Sequence, residues 1–404
     1  MGNIISLKIR NTVNVLSTIK KNGPVTKNEI SKKIGITGVS AHNIVNDLAE
    51  QNVIRETHNS GLGTTSGGRK AASYEINPEY GYVIGQRMVR NYIETGIYDF
   101  SSQCISYRKV EWENQKPYDT LKIMADEMHQ IITVSAVPRE CIIGAGVSWP
   151  GQVNDDMGVI INLPNIPRYQ GVEAKAILER QMGFPVYIGN DVKGIVLSLK
   201  WLNYCGYDDN LAYFASRQEG IGCGVISDGK VLDGYNHNAG EIAHIKVDYH
   251  GKRTQLEEIL LFDSLVFRCW RSLGREGRPT AQFSIEEVIR LANEGSQPVL
   301  AVLREALDYI VMCIDIMIKL MDPHYFIWQI DWISQIPVLQ QELMEAIRSE
   351  FSSISYATLR FKMCNMERIT TLGAATLLFD NFFTNKSEKN RLFTYNKGIL
   401  NKRE

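Results

Sequence analysis

Three observations in the sequence predict an α/β protein in two parts, a small basic helical module at residues 1–78 and a large mixed domain at residues 79–404. Charge is uneven: residues 1–70 carry ten Lys/Arg against four Asp/Glu, and the rest carry 34 against 41. The apolar spacing is helical over the first fifty residues and changes from Tyr80 onward to alternating short strands and helices. The 404 residues are 44% hydrophobic and 22% charged, enough apolar material for several cores and unlike a disordered chain. A near-neutral total of −1 therefore hides a basic front and an acidic remainder, and only the front suits a polyanion.

In the module, Ile9, Val13, Leu16 and Ile19 fall on one helical face, and Asn22-Gly23-Pro24 ends that helix. Thr26-Lys27-Asn28-Glu29 is a capping box, so a second helix starts at Thr26 with Ile30 and Ile34 inward. Gly35 supplies a tight turn before a second cap residue, Thr37. A third helix places Ala41, Ile44 and Leu48 inward and leaves Gly38, Ser40, His42, Asn43 and Asn46 outward or at its start. Val53–Thr57 and Lys70–Ile76 read as strands flanking a Gly/Ser/Thr-rich loop, His58–Gly68. The whole is a winged helix-turn-helix pattern. A plain three-helix bundle with solvated lysines is the simpler alternative. The turn glycine, the charge and the short polar side chains of the third helix favour DNA, with Thr37, Ser40, His42 and Asn43 nearest the bases and Arg69 and Lys70 on the wing. Gly63 and Gly68 have P-loop spacing, but Arg69-Lys70-Ala71 stands where Lys-Ser/Thr is required, so no Mg²⁺-phosphate site follows.

In the large domain Gly81–Val89, Tyr92–Tyr98 and Cys104–Trp112 read as a meander of three strands, followed by a helix over Thr120–Ile132. An apolar strand, Cys141–Val147, runs into Ser148-Trp149-Pro150-Gly151. Helix Ala174–Met182, strand Val186–Ile188, the turn Gly189-Asn190-Asp191 and helix Val192–Leu202 come next. Strands return at Leu211–Ala215 and Ile221–Ile226, and helices dominate the last third, with a strand ending near Ile330 and a late helix over Leu372–Phe379. This is a mixed α/β domain of two lobes.

The longest apolar run, Ile310–Met321, is interrupted by Asp315 and Lys319, so no membrane partner is expected. No charged segment followed by an apolar stretch opens the chain, which points to the cytoplasm. Met1-Gly2-Asn3-Ile4-Ile5-Ser6 fits the loose myristoylation pattern, but a motif this short reads as readily as ordinary sequence. The seven cysteines, Cys104, Cys141, Cys205, Cys223, Cys269, Cys313 and Cys364, stand singly and read as free, mostly buried thiols.

Across nearly its whole length the chain resembles the ROK family of repressors, open reading frames and kinases. The resemblance rests on Ser148-Trp149-Pro150-Gly151, Leu163-Pro164-Asn165, Pro185-Val186 with Asn190-Asp191, and Gly220-Ile221-Gly222-Cys223-Gly224 with Asp228-Gly229. It continues through Gly240-Glu241-Ile242-Ala243-His244 and Gly373-Ala374-Ala375. It implies an actin-like, ribonuclease-H-type fold of two lobes with a sugar in the cleft. Asn190, Asp191, Glu241 and His244 match the family's sugar contacts, with Asn165 and Glu257 as further ones, and these side chains suit hydroxyl groups. The plainer reading of the same residues is a helix cap at Asn190-Asp191 and a buried pair at Glu241 and His244.

Kinases of the family carry Asp-x-Gly-Gly-Thr at the first strand. Here the stretch is Gly85-Gln86-Arg87-Met88-Val89-Arg90. Their second phosphate loop has Thr-Gly where this chain has Glu219-Gly220, and a carboxylate repels a triphosphate. The Gly-Gly on the adenosine side is missing after Asp322-Pro323, where Ile327-Trp328-Gln329-Ile330-Asp331 follows. Asp191 matches the kinase base, but without a phosphoryl donor it has nothing to transfer. The zinc cysteines are replaced by Tyr249-His250-Gly251-Lys252-Arg253-Thr254-Gln255, which leaves only His244 of the ligands, and Ala243 replaces a family glycine. The expectation is a non-enzymatic, cofactor-free and metal-free repressor that binds operator DNA as a homodimer and answers to a sugar or sugar phosphate. An active sugar kinase with an attached DNA-binding module is the alternative, and a repressor answering to another protein is a third reading.

Overall fold

A computed structural model of the chain describes residues 2–57, 71–89, 92–113, 116–163, 167–202, 204, 209–218, 220–353 and 356–384. Arg69, Lys70, Arg90, Asn165, Cys205 and Glu219 lie outside these residues. The spacing of Val13, Leu16 and Ile19 is realised in α1 (Gly2–Asn22), where all three are buried. After β1 (Val25–Thr26), the capping box at the head of α2 (Lys27–Ile34) forms as expected. The Glu29 carboxylate accepts the Thr26 N–H at 2.8 Å, and the Glu29 N–H reaches the Thr26 hydroxyl at 3.3 Å. Gly35, left-handed at φ 67°, ends α2 and turns the chain into α3 (Gly38–Glu50), whose Ala41, Ile44, Val45 and Leu48 are buried. Strands β2 (Ile54–Thr57) and β3 (Ser73–Ile76) pair antiparallel, and β1 joins the other edge of β3. β1 is not legible in the sequence, because two residues carry no periodicity.

Contacts divide the chain into two units, residues 1–207 with 368–404, and residues 208–367. In the first, β4 (Tyr82–Met88), β5 (Tyr92–Asp99) and β6 (Cys104–Glu111) form the expected antiparallel meander, followed by α4 (Pro117–Ser135). β7 (Ile142–Trp149) returns parallel to β4 and leads into the short hairpin β8 (Gln152–Asn154) and β9 (Val159–Asn162). Helix α5 (Ala174–Met182) connects to β10 (Val186–Asn190), parallel to β7, and α6 (Asp191–Trp201) follows directly. The sheet order is β10-β7-β4-β5-β6, with Ile84, Met124, Val147, Trp149 and Leu178 in the core beneath it.

The second unit opens with β11 (Leu211–Arg217), β12 (Gly220–Ser227) and β13 (Lys230–Val231), then the hairpin β14 (Lys246–Tyr249) and β15 (Lys252–Gln255). Helices α7 (Leu256–Leu260), α8 (Phe262–Ser272), α9 (Ile285–Asn293) and α10 (Gln297–Met321) lead to β16 (Tyr325–Ile330), α11 (Pro337–Glu350) and β17 (Arg360–Met363). Its sheet order is β13-β12-β11-β16-β17. Counted from its own first strand, each sheet therefore runs three antiparallel strands outward and adds two parallel ones on the other side of the first.

Helix α12 (Ile369–Thr384) returns to the first unit and lies on its sheet. The approach requires glycine: a Cβ on Gly85 would stand 1.9 Å from Thr371 O, and one on Gly146 would stand 1.7 Å from Ala374 O. Gly194 and Gly373 do the same between α6 and α12, since a Cβ on Gly194 would stand 2.7 Å from Gly373 O. That contact accounts for Gly373-Ala374-Ala375 on physical grounds.

Candidate functional site

The outward face of α3 is organised from its first turn. The Thr37 hydroxyl caps the helix, accepting the Ser40 N–H at 3.1 Å and donating to the Ser40 hydroxyl at 2.9 Å. Asn46 accepts from Lys27 Nζ at 2.6 Å and holds His42 Nε2 at 3.0 Å, while Lys27 stands 3.5 Å from the other ring nitrogen. Of the residues expected nearest bases, Thr37 and Ser40 shape the helix start, His42 is held by two neighbours, and Asn43 is exposed.

In the first unit the polar cluster forms where β4, β5 and α6 meet. Asn190 caps α6, its Oδ1 accepting the N–H groups of Val192 and Lys193 and its Nδ2 donating to Gly151 O at 2.8 Å. That is the plainer of the two readings offered for this residue. Asp191 is buried, with Oδ1 accepting its neighbour Val192 N–H at 2.9 Å. Its Oδ2 accepts from Arg87 Nη2 at 3.2 Å, and the other arm of Arg87 faces Glu94 Oε2 at 3.6 Å. The Arg87 side chain is 2% exposed, so the ion triad is out of solvent. Behind it the Tyr107 hydroxyl donates to Glu94 at 2.6 Å, and Thr370 Oγ1 donates at 3.4 Å. Burial and the Glu94 carboxylate both push the Tyr107 phenol above its usual range, so it remains a donor. In the sequence Arg87 stands out only as a departure from the kinase pattern. A guanidinium on an apolar strand was the available signal, since such a group requires a buried partner.

At its far end α6 meets the N-terminal module. Lys20 of α1 lies 5.4 Å from the Trp201 ring centroid and donates to the Ser102 hydroxyl. Burial brings the Lys20 ammonium down to about 8, against the opposing pull of Asp99.

In the second unit Gly240, at φ 90°, presses its turn onto β12: a Cβ there would stand 2.4 Å from Cys223 O. Glu241 then opens a single helical turn, Ile242–His244, and its carboxylate stands 3.7 Å from His244 Nε2. These side chains are 34% and 52% exposed, so the pair is accessible rather than buried. Gln255 Oε1 stands 3.4 Å from His244 Nδ1. Glu257, in the first turn of α7, sets its carboxylate over Gly220, 3.2 Å from where a Cβ would be. Burial first, then Cys313 and Glu241, push the Cys223 thiol up to about 12. Tyr249–Gln255, which replaces the family's cysteines, folds as the β14–β15 hairpin, with His250 and Gly251 both at positive φ. Tyr249 accepts from Arg268 at 2.8 Å and donates to Glu305 at 3.2 Å, and Tyr309 donates to Asp248 O at 3.0 Å. Side chains thus fasten this hairpin to α8 and α10.

Two five-stranded sheets of one strand order, each carrying a polar turn at the ends of its strands, define a duplicated α/β protein. The ROK family profile matches residues 83–378, and the chain belongs to that family. The xylose repressor of Bacillus subtilis is 23% identical over 380 residues, 91% of this chain and 94% of that one. That of Caldicellulosiruptor bescii is 27% identical over 253 residues, 62% of this chain, which spans only 61% of that relative's length. The N-acetylglucosamine repressor of Escherichia coli O157:H7 is 25% identical over 334 residues, 80% of each chain. Among solved structures, a ROK family transcriptional regulator, a homolog of the E. coli MLC protein, has a TM-score of 0.71 at 21% identity and covers 96% of this chain and 97% of its own. A ROK glucokinase from Streptomyces griseus, in complex with glucose and AMPPNP, has a TM-score of 0.60 at 19% identity over 74% of this chain and 99% of its own. These structural likenesses establish the fold. No helix among the described residues is long and apolar enough to cross a membrane.

Proposed function

We propose that this chain is a cytoplasmic transcriptional repressor of carbohydrate-use genes. Residues 1–78 act as a winged helix-turn-helix that grips operator DNA, and a homodimer matches two half-sites. Residues 79–404 form an actin-like domain that takes a sugar or sugar phosphate, with Asn165, Asn190, Asp191, Glu241, His244 and Glu257 as its candidate contacts. No phosphoryl transfer is involved.

The observation that carries the reading is the Arg87–Asp191 ion pair, 3.2 Å apart and out of solvent. At the position that would hold metal and phosphate in a kinase this chain has a cation, and that cation fixes the aspartate that would act as base. A carboxylate held in this way keeps further lone pairs that can accept from a sugar hydroxyl. The named relatives, repressors of xylose and N-acetylglucosamine genes, support the same reading. Helix α6 supplies a route for the signal, since Asp191 is its first residue and Trp201, its last, lies beside Lys20 of α1.

The test is operator release. The full chain is incubated with fragmented genomic DNA, and the retained fragments are titrated with xylose, glucose, N-acetylglucosamine and their phosphates. Specific retention reversed by one of these is the expected result. Absence of retained DNA, or sugar phosphorylation abolished in Asp191→Ala, would overturn the proposal.

A further inference from the structure

The sequence placed Thr37, Ser40, His42 and Asn43 nearest the bases, yet the most exposed apolar side chain of α3 is Val39, at 72%. Thr37 and Ser40 satisfy one another across the cap, and His42 is held by Asn46 and Lys27. Asn43 is exposed, and its side chain makes no hydrogen bond to any described residue. Val39 and Asn43 are four apart, so they share one helical face with their Cβ atoms roughly 5–6 Å from each other. Val39 is β-branched and stands within the turn that the Thr37 cap fixes, so it presents its methyl groups in a restricted direction. It is the one apolar side chain among the exposed described residues of α3, in a module with ten Lys/Arg against four Asp/Glu over residues 1–70. An isolated surface valine needs no explanation by itself. Here it shares a face with a side-chain amide that is available for pairing, on the helix of a basic module that the proposed function sets against DNA.

We infer that Val39 and Asn43 are the base-reading pair of this protein, Val39 packing on a thymine methyl group and Asn43 pairing with an adenine edge. Thymine is the base that offers a methyl group in the major groove, and the amide of Asn matches adenine N6 and N7. A separation of roughly 5–6 Å spans one to two base steps of about 3.4 Å, so the thymine and the adenine lie within two base pairs of each other in each half-site. His42 and Lys27 then serve as a positioning pair beside them. The inference rests on the DNA-binding reading of the module and adds the residue that reads sequence.

The test uses the full chain to select duplexes from a randomised pool, after which the selected operator is resynthesised with deoxyuridine replacing each thymine in turn. At one position per half-site, loss of the methyl group should weaken binding about fourfold. Val39→Ala protein, with an unchanged melting temperature, should bind the thymine and uracil duplexes equally. Asn43→Ala should lose its preference for the neighbouring adenine by about 5- to 150-fold. If no thymine position responds, or the response persists in Val39→Ala, the inference falls while the selected duplex still upholds the repressor reading. A pool that yields no enriched duplex would overturn both.

Discussion

Replacing Arg87 by Met removes the cation between two carboxylates without opening a large cavity, so it isolates the electrostatics of the triad. Glu94 and Asp191 would remain, with side chains 13% and 7% exposed, facing a gap where the guanidinium had stood 3.6 and 3.2 Å away. Breaking a buried pair by removing one partner costs about 3–5 kcal/mol, because an uncompensated charge stays behind. Both carboxylates keep some support: Glu94 still accepts from Tyr107 and Thr370, and Asp191 from the Val192 N–H. The lower end of the range is therefore expected, about 3 kcal/mol, or a fall of roughly 6–12 °C in melting temperature for a unit of this size. Calorimetry of the full chain reads this directly. The double variant Arg87→Met with Asp191→Asn should recover more than half of the loss, since the amide replaces the charge left unpaired. If Arg87→Met melts within about 0.5 kcal/mol of the parent protein, or the double variant recovers nothing, the triad is not what holds Asp191, and a catalytic role for that carboxylate is open again.

The Lys20 ammonium titrates at about 8 when folded against 10.5 when unfolded, so between these values the unfolded chain binds more protons and stability rises with pH. Below about 8 both states are protonated and the full burial cost is present; Lys20→Met should therefore stabilise the protein more at pH 7 than at pH 10.5, as denaturation at the two pH values would show. In the second unit, Glu241→Ala or His244→Ala should weaken sugar binding roughly 5- to 150-fold by calorimetry, leave folding intact and keep operator bound when sugar is added, because effector and operator are linked reciprocally. Burial raises the thiols of Cys223, Cys269 and Cys313 to about 12, so iodoacetamide at pH 8 should leave them unmodified in the native protein and alkylate them in guanidinium, with Cys104 and Cys141 reacting earlier.

Local chemistry made much of the fold legible. The capping box at Thr26, the turn at Gly35 and the inward triplet Ala41, Ile44 and Leu48 depend on neighbours within a few residues, and each appears as read. The meander of β4, β5 and β6 is equally local, since each strand pairs with the next. What the sequence did not disclose is short or distant. β1, β8, β9 and β17 have two to four residues each, too few to show alternation. The β14–β15 hairpin was recognised only as the loss of a metal motif, because its hold on α10 comes through Tyr249 and Glu305, 56 residues apart. The ribonuclease-H-type fold came from resemblance. Its physical basis, one strand order occurring twice, depends on crossovers that periodicity cannot show.

The same distinction decides how the site is understood. Read along the chain, Arg87 is a missing carboxylate and Asp191 is a retained base, two facts pointing in opposite directions about catalysis. The residues are 104 positions apart, and nothing in either neighbourhood announces the other. In three dimensions they are one fact, because the guanidinium that stands where a kinase would need a metal ligand is the group that takes up Asp191 Oδ2. Without Arg87 this aspartate would lose the cation 3.2 Å away, and breaking such a buried pair costs several kcal/mol. Arg87 avoids that cost and holds the carboxylate in one orientation at the head of α6, whose other end lies against Lys20 of the N-terminal module. On the proposed function, Asp191 is kept as an acceptor for the sugar rather than as a base, and the Arg87 pair and the missing phosphate loop then agree.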